Sequence, residues 1–96
     1  MNILVTYDVN TETAAGRKRL RNVATVCKNY GQRVQYSVFE CRVDQAQYET
    51  LQAKLLKIID PALDNLRFYR LFGSREEAVE AFGIDKYVDF DEPLIL

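Results

Sequence analysis

An α+β fold, with one antiparallel sheet and two helices on a single face of it, is what this 96-residue chain predicts. Three observations carry that expectation. Residues 2–9 alternate at the strand period, residues 14–30 repeat at the helix period, and a second strand–helix–strand set follows from residue 32. The sheet and helices fit one domain spanning 1–96. A chain this short buries only about 60–65% of its unfolded surface, so self-association would help it.

The first strand, 2–9, sets Ile3, Val5, Tyr7 and Val9 against Leu4, Thr6 and Asp8. Both faces are largely apolar, which places the strand centrally in its sheet. Asp8 falls on the Leu4/Thr6 face at the strand's C-terminal end. In the helix over 14–30, Leu20, Val23, Ala24, Cys27 and Tyr30 form the apolar stripe. Thr11 or Thr13 caps its start, and Gly31 stands where a C′ glycine belongs. Gly16 weakens the first turn by about 1 kcal/mol against alanine, which allows a later start.

Residues 32–43, "QRVQYSVFECRV", are rich in β-branched and aromatic residues and read as two short strands joined near Tyr36-Ser37. Phe39, Cys41 and Val43 share one face of the second. Asp44 caps a helix over 45–59, with Tyr48, Leu51, Leu55, Ile58 and Ile59 buried, and Pro61 stops it by Asp60. "NLRFYRLF", 65–72, is the fourth strand. A capping box from Ser74 to Glu77 opens a short helix that Gly83 ends. "KYVDFDEPLIL" closes the chain as a strand or extended tail, with Pro93 keeping it from a central position. The order β-α-β-β-α-β is the ferredoxin-like arrangement, with one sheet face left free.

Composition removes whole classes of chemistry. There is no histidine, so no histidine-based triad, acid–base nuclease or usual zinc site exists. Cys27 and Cys41 read as small buried hydrophobes rather than a disulfide framework. An enzyme built from this chain would run on carboxylates and a metal. No run approaches the ~18 apolar residues of a membrane span, and no signal-peptide pattern opens the chain, so a soluble cytoplasmic protein without membrane contact is expected.

The net charge of −1 conceals an asymmetry. Residues 1–48 hold seven basic and four acidic side chains, and residues 49–96 hold six and ten. Basic residues gathered on one surface can bind nucleic acid whatever the total. The free sheet face, apolar at Leu4, favours a homodimer about a two-fold axis. Asp8 would then approach its twin, and the two carboxylates would repel unless a cation lay between them.

"LVTYDV", then "GRKRLRNVATVCKNYGQRVQYSVFEC", then "LRFYRL" resemble the small CRISPR-associated adaptation protein, here called the Cas-two family. The resemblance covers essentially the whole chain, in the family's order and spacing. It implies a ferredoxin-like homodimer with Asp8 as catalytic acid and Mg²⁺ ligand, one from each protomer. It also implies an endonuclease on single-stranded RNA or double-stranded DNA, and a bridge between dimers of a partner integrase during spacer acquisition. The alternative it leaves open is a purely structural DNA-binding adaptor.

Beside that resemblance each side chain has its own reading. Mg²⁺ takes oxygen ligands and is often held by one or two carboxylates plus substrate phosphate, which suits Asp8. Arg17, Lys18, Arg19, Arg21 and Lys28 are candidates for phosphate contact. Arg17 and Arg21 share a face as like charges at i, i+4, which a merely solvated helix tends to avoid. Arg33 is a further candidate at the start of the next strand. Ser37 matches the family's "S-VFE" pattern and either binds phosphate or serves its turn. Tyr7 and Phe39 are supporting residues, each read first as core. Glu40 is either a carboxylate supporting the site or, the preferred reading, the cross-strand partner of an arginine. Asp85, Asp89, Asp91 and Glu92 read as a solvated acidic tail.

Overall fold

The computed structural model describes residues 1–88. The closing strand or tail, with Asp89, Asp91, Glu92 and Pro93, lies outside the described residues. The described elements are β1 (Asn2–Asp8), α1 (Ala14–Lys28), β2 (Gly31–Gln35), β3 (Val38–Arg42), α2 (Gln45–Ile58), β4 (Asn65–Leu71) and a single turn, α3 (Arg75–Ala78). The sheet runs β2-β3-β1-β4, antiparallel throughout, so β1 is central as its two apolar faces require.

Alternation in β1 turns Ile3, Val5 and Tyr7 toward the helices, where Phe39 and Cys41 of β3 join them. Val23, Ala24 and Cys27 of α1 and Tyr48, Leu51 and Leu55 of α2 close that core. Thr13 caps α1, its hydroxyl accepting from Gly16 N at 3.0 Å. Asp44 and Gln47 form a reciprocal capping box on α2. Both thiols lie in the core, and burial pushes each up to about 12, which leaves them unreactive as nucleophiles.

Helix α1 starts at Ala14, as its pattern reads, and Gly16 does not delay it, because the glycine is packed against the Asn10 carbonyl. Three local expectations need correction. Gly31 is not a C′ residue in a left-handed conformation. It opens β2, where a Cβ would overlap the Glu40 carbonyl and Cys41. Helix α3 stops at Ala78, well before Gly83, whose φ of 83° belongs to a later bend. The second sheet face is also not wholly free. Arg75 binds Glu40 on that face at 2.9 and 3.3 Å, drawing α3 and the residues after it over the β3 side. The arginine that pairs with Glu40 is thus not a cross-strand neighbour but comes from α3, which packs over this face. Farther along, Val88 exchanges two hydrogen bonds with the Gln32 side chain, at 2.6 and 2.9 Å.

Candidate metal and nucleic-acid site

The strand that is buried for most of its length ends in an acid that is not. Asp8 is exposed, and its carboxylate makes no hydrogen bond or ion pair with the described residues. Its register partner on β4 is Asn65, and the preceding pair on the same face is Thr6 with Arg67. Arg67 is therefore diagonal to Asp8 on the open face, with Nη1 3.1 Å from the Tyr69 hydroxyl. Sequence reasoning passed over Arg67. The alternation of Asn65, Arg67, Tyr69 and Leu71 against Leu66 and Phe68 carried the signal.

Past Asp8 the chain must turn into α1, and Asp64 fixes that turn. Its side chain is shut off from solvent and accepts from Asn10 N at 3.0 Å, Asp60 N at 2.9 Å and Arg19 Nε at 2.8 Å. Burial works to raise the Asp64 pKa, but the Arg19 guanidinium and the two backbone N–H donors outweigh it and hold the carboxyl below its ordinary value. Arg19 is thereby engaged within the fold.

The other candidates of α1 remain at the surface. Arg17, Lys18, Arg21 and Lys28 are exposed, while Val23, Ala24 and Cys27 face the core. Arg17 Nη1 also donates to Thr11 O at 3.2 Å, which holds it over the loop that follows Asp8. Helix α1 covers the sheet face opposite Asp8, so the basic helix and the acid meet only where β1 runs out into α1. Lys28, in the last turn, also complements the helix dipole.

Beyond α1, the turn between β2 and β3 gathers the remaining residues. The Ser37 carbonyl accepts from Tyr7 N at 3.2 Å. Phe39 is fully buried and stacks on Tyr7, with ring centroids 6.3 Å apart. The Arg33 guanidinium lies 5.1 Å from the Phe39 ring centre and 5.7 Å from that of Tyr36.

For a metal, the donor set is narrow. Among the described residues no group of three or more acids or thiols could enclose an ion. A lone exposed carboxylate does fit a hard divalent ion that keeps most of its waters and takes one carboxylate from each of two chains. It does not fit a self-contained protein cage.

The family model described as CRISPR associated protein Cas2 matches residues 1–78. The chain is 55% identical over 96 residues to the CRISPR-associated endoribonuclease Cas2 1 of Moorella thermoacetica, covering all of both chains. It is 57% identical, again over the full length of both, to the CRISPR-associated endoribonuclease Cas2 of Chlorobaculum tepidum. The crystal structure of Streptococcus pyogenes Cas2 superposes with a TM-score of 0.77 at 55% identity, over 86% of this chain and 100% of that one. Among the described residues no helix is long and apolar enough to cross a membrane.

Proposed function

This chain belongs to the CRISPR associated protein Cas2 family, and on that premise we propose that it is a homodimeric, Mg²⁺-dependent endonuclease of CRISPR spacer acquisition. The observation that carries this reading is Asp8, an exposed carboxylate with no partner among the described residues, at the end of a buried strand. It sits at the rim of a partly apolar sheet face, which suits the meeting of two such acids across a dimer axis.

In that dimer Asp8 of each copy would hold the ion. A bound Mg²⁺ would supply polarisation of the phosphoryl group and a water activated near neutral pH. The chain itself does the rest. Arg17, Lys18, Arg21 and Lys28 hold the backbone phosphates by charge, without reading bases. Arg67, on the Asp8 face, adds a cation beside the scissile group. One acid per protomer is a minimal set, and slow turnover follows from it. RNA is the first substrate to test, because the two similar curated relatives are named endoribonucleases. Duplex DNA is the second.

A second reading rests on the same narrow donor set. With no cluster of three ligands among the described residues, the chain would serve as a DNA-binding adaptor between dimers of the CRISPR integrase, with Asp8 idle. End-labelled single-stranded RNA and duplex DNA, incubated with Mg²⁺ or with EDTA, separate the two readings. The nuclease reading expects cleavage by the wild type in Mg²⁺ only, and background cleavage by Asp8→Asn with an unchanged circular dichroism spectrum. Equal Mg²⁺-dependent cleavage by both proteins would remove Asp8 from the chemistry. If neither protein cleaved but both supported spacer integration with the integrase, the adaptor reading would stand.

A further inference from the structure

A cleft of about 360 Å³ opens on the helix side of the sheet, between the C-terminal half of α1 and the turn joining β2 to β3. Arg21, Thr25 and Lys28 line it from α1, Tyr7 and Arg33 from the sheet, and Tyr36 from the β2–β3 turn. Three of these side chains are cations, and among the described residues no carboxylate lines the cleft.

Two polar groups that line it find no partner among the described residues. Tyr7 is only 6% exposed, yet its hydroxyl meets no hydrogen-bond acceptor. The buried Arg33 Nε also lacks one. The Arg33 guanidinium lies beside the Tyr7 hydroxyl without forming a hydrogen bond of good geometry. Buried donors are almost always satisfied in native folds, so a pair of orphans side by side calls for an acceptor. A solvated basic helix face would not explain them, because both groups belong to the sheet.

We propose that this cleft is a binding site for one phosphate group of a nucleic-acid strand, with the Tyr7 hydroxyl and the Arg33 guanidinium as its donors. The proposal rests on the reading that the chain binds nucleic acid. It deepens that reading by separating a discrete phosphate site from the Asp8 position on the opposite sheet face. Tyr7 is fixed by its stack on Phe39, and Arg33 by the Phe39 and Tyr36 rings. The donors are therefore preorganised and lose little freedom when the anion arrives. Arg21 and Lys28 add charge at the mouth. The phosphate is either a terminal monoester or an internal diester of the strand.

Binding of the full chain, measured in EDTA so that no metal contributes at Asp8, tests the site. The probes are inorganic phosphate and fluorescent oligonucleotides of one sequence with a 5′-phosphate or a 5′-hydroxyl. The variants are Tyr7→Phe, which removes only the hydroxyl, and Arg33→Met, with Asp8→Asn as a control. Phosphate should raise the melting temperature of the wild type and of Asp8→Asn, but not of Tyr7→Phe or Arg33→Met. Without phosphate, Tyr7→Phe should melt no lower than the wild type, since an orphan hydroxyl is all it loses. Both site variants should bind the oligonucleotide about tenfold more weakly, the scale of a charge-assisted hydrogen bond. A wild-type preference for the 5′-phosphate that vanishes in Tyr7→Phe assigns the site to a strand end. Equal weakening of both oligonucleotides assigns it to an internal phosphate. Undiminished binding by both variants, with no phosphate effect on melting, overturns the proposal while leaving the metal-dependent reaction at Asp8 to its own assay.

Discussion

At Gly16 two local rules point in opposite directions. Helix propensity alone favours alanine there by about 1 kcal/mol. The structure packs the glycine against the Asn10 carbonyl, where a Cβ would overlap backbone oxygen. Backbone yields less readily than a side chain, so Gly16→Ala should lower the melting temperature, and a rise would show that the loop after β1 relaxes freely. Asp64 is a second residue whose role comes from the fold. Next to Pro61 it reads as a loop acid, yet it binds three segments of chain through Arg19, Asn10 and Asp60. Its pKa is lower folded than unfolded, so it contributes stability at pH values above its ordinary carboxylate pKa of about 3.9. That contribution is lost as pH falls through the depressed folded value. Asp64→Ala should therefore melt lower than the wild type at pH 7, by about 5–10 °C for a domain of this size. The gap should narrow below pH 4, and a gap independent of pH would deny the ion pair any part in it. Asp8 was legible from alternation alone, because one strand period fixes both its face and its place at the strand end. Asp64 and Gly16 were not, since each answers to a contact far along the chain or across a loop.

Secondary structure was legible wherever the pattern ran long enough. The turn at Tyr36-Ser37, the Asp44 cap and the stop before Pro61 are all present. The errors fall at helix ends. Ser74 does cap α3, but a capping box determines where a helix begins and says nothing of its length. Gly31 stands at the right distance after α1 for a left-handed cap, and tertiary contact with β3 claimed it instead. For α1 the pattern supports a functional prediction. Each phosphate neutralised on a single strand contributes about −0.7 to the slope of log K against log salt, and about −0.9 on B-DNA. Two protomers offering Arg17, Arg21 and neighbouring cations should give a slope on the order of −4 to −8 on duplex DNA. Arg17→Glu with Arg21→Glu should flatten it, with little change in the helical spectrum because both side chains are exposed. An unchanged slope would place the binding surface away from α1.

The whole molecule presents its least satisfied surface on the sheet face turned from the helices. Leu4, Val38, Tyr69 and Leu71 line a groove of about 690 Å³ there, with Val79, Phe82 and Ile84 along its margin. Phe82 is 87% exposed and Ile84 97%. Helix α3 reaches over part of this face through the Arg75–Glu40 pair, yet it leaves those apolar side chains in water. A domain of this size has little core to spare, and a second copy is the partner that closed symmetry supplies without further cost in sequence. The same packing would bring two Asp8 carboxylates toward one axis, where they repel until a cation intervenes. Dimer and metal should then be linked. Light scattering at micromolar concentration should give about twice the 11.1 kDa of the chain. Phe82→Ser with Ile84→Ser should shift the protein toward monomer. Asp8→Asn should keep the dimer, and should strengthen it in EDTA by removing the repulsion. Mg²⁺ should tighten the wild-type dimer and leave the Asp8→Asn dimer unchanged. A wild type that stayed at 11.1 kDa would reject the shared site. A dimer equally tight with and without Mg²⁺ would separate assembly from the ion, and would place the two acids too far apart to act on one phosphate together.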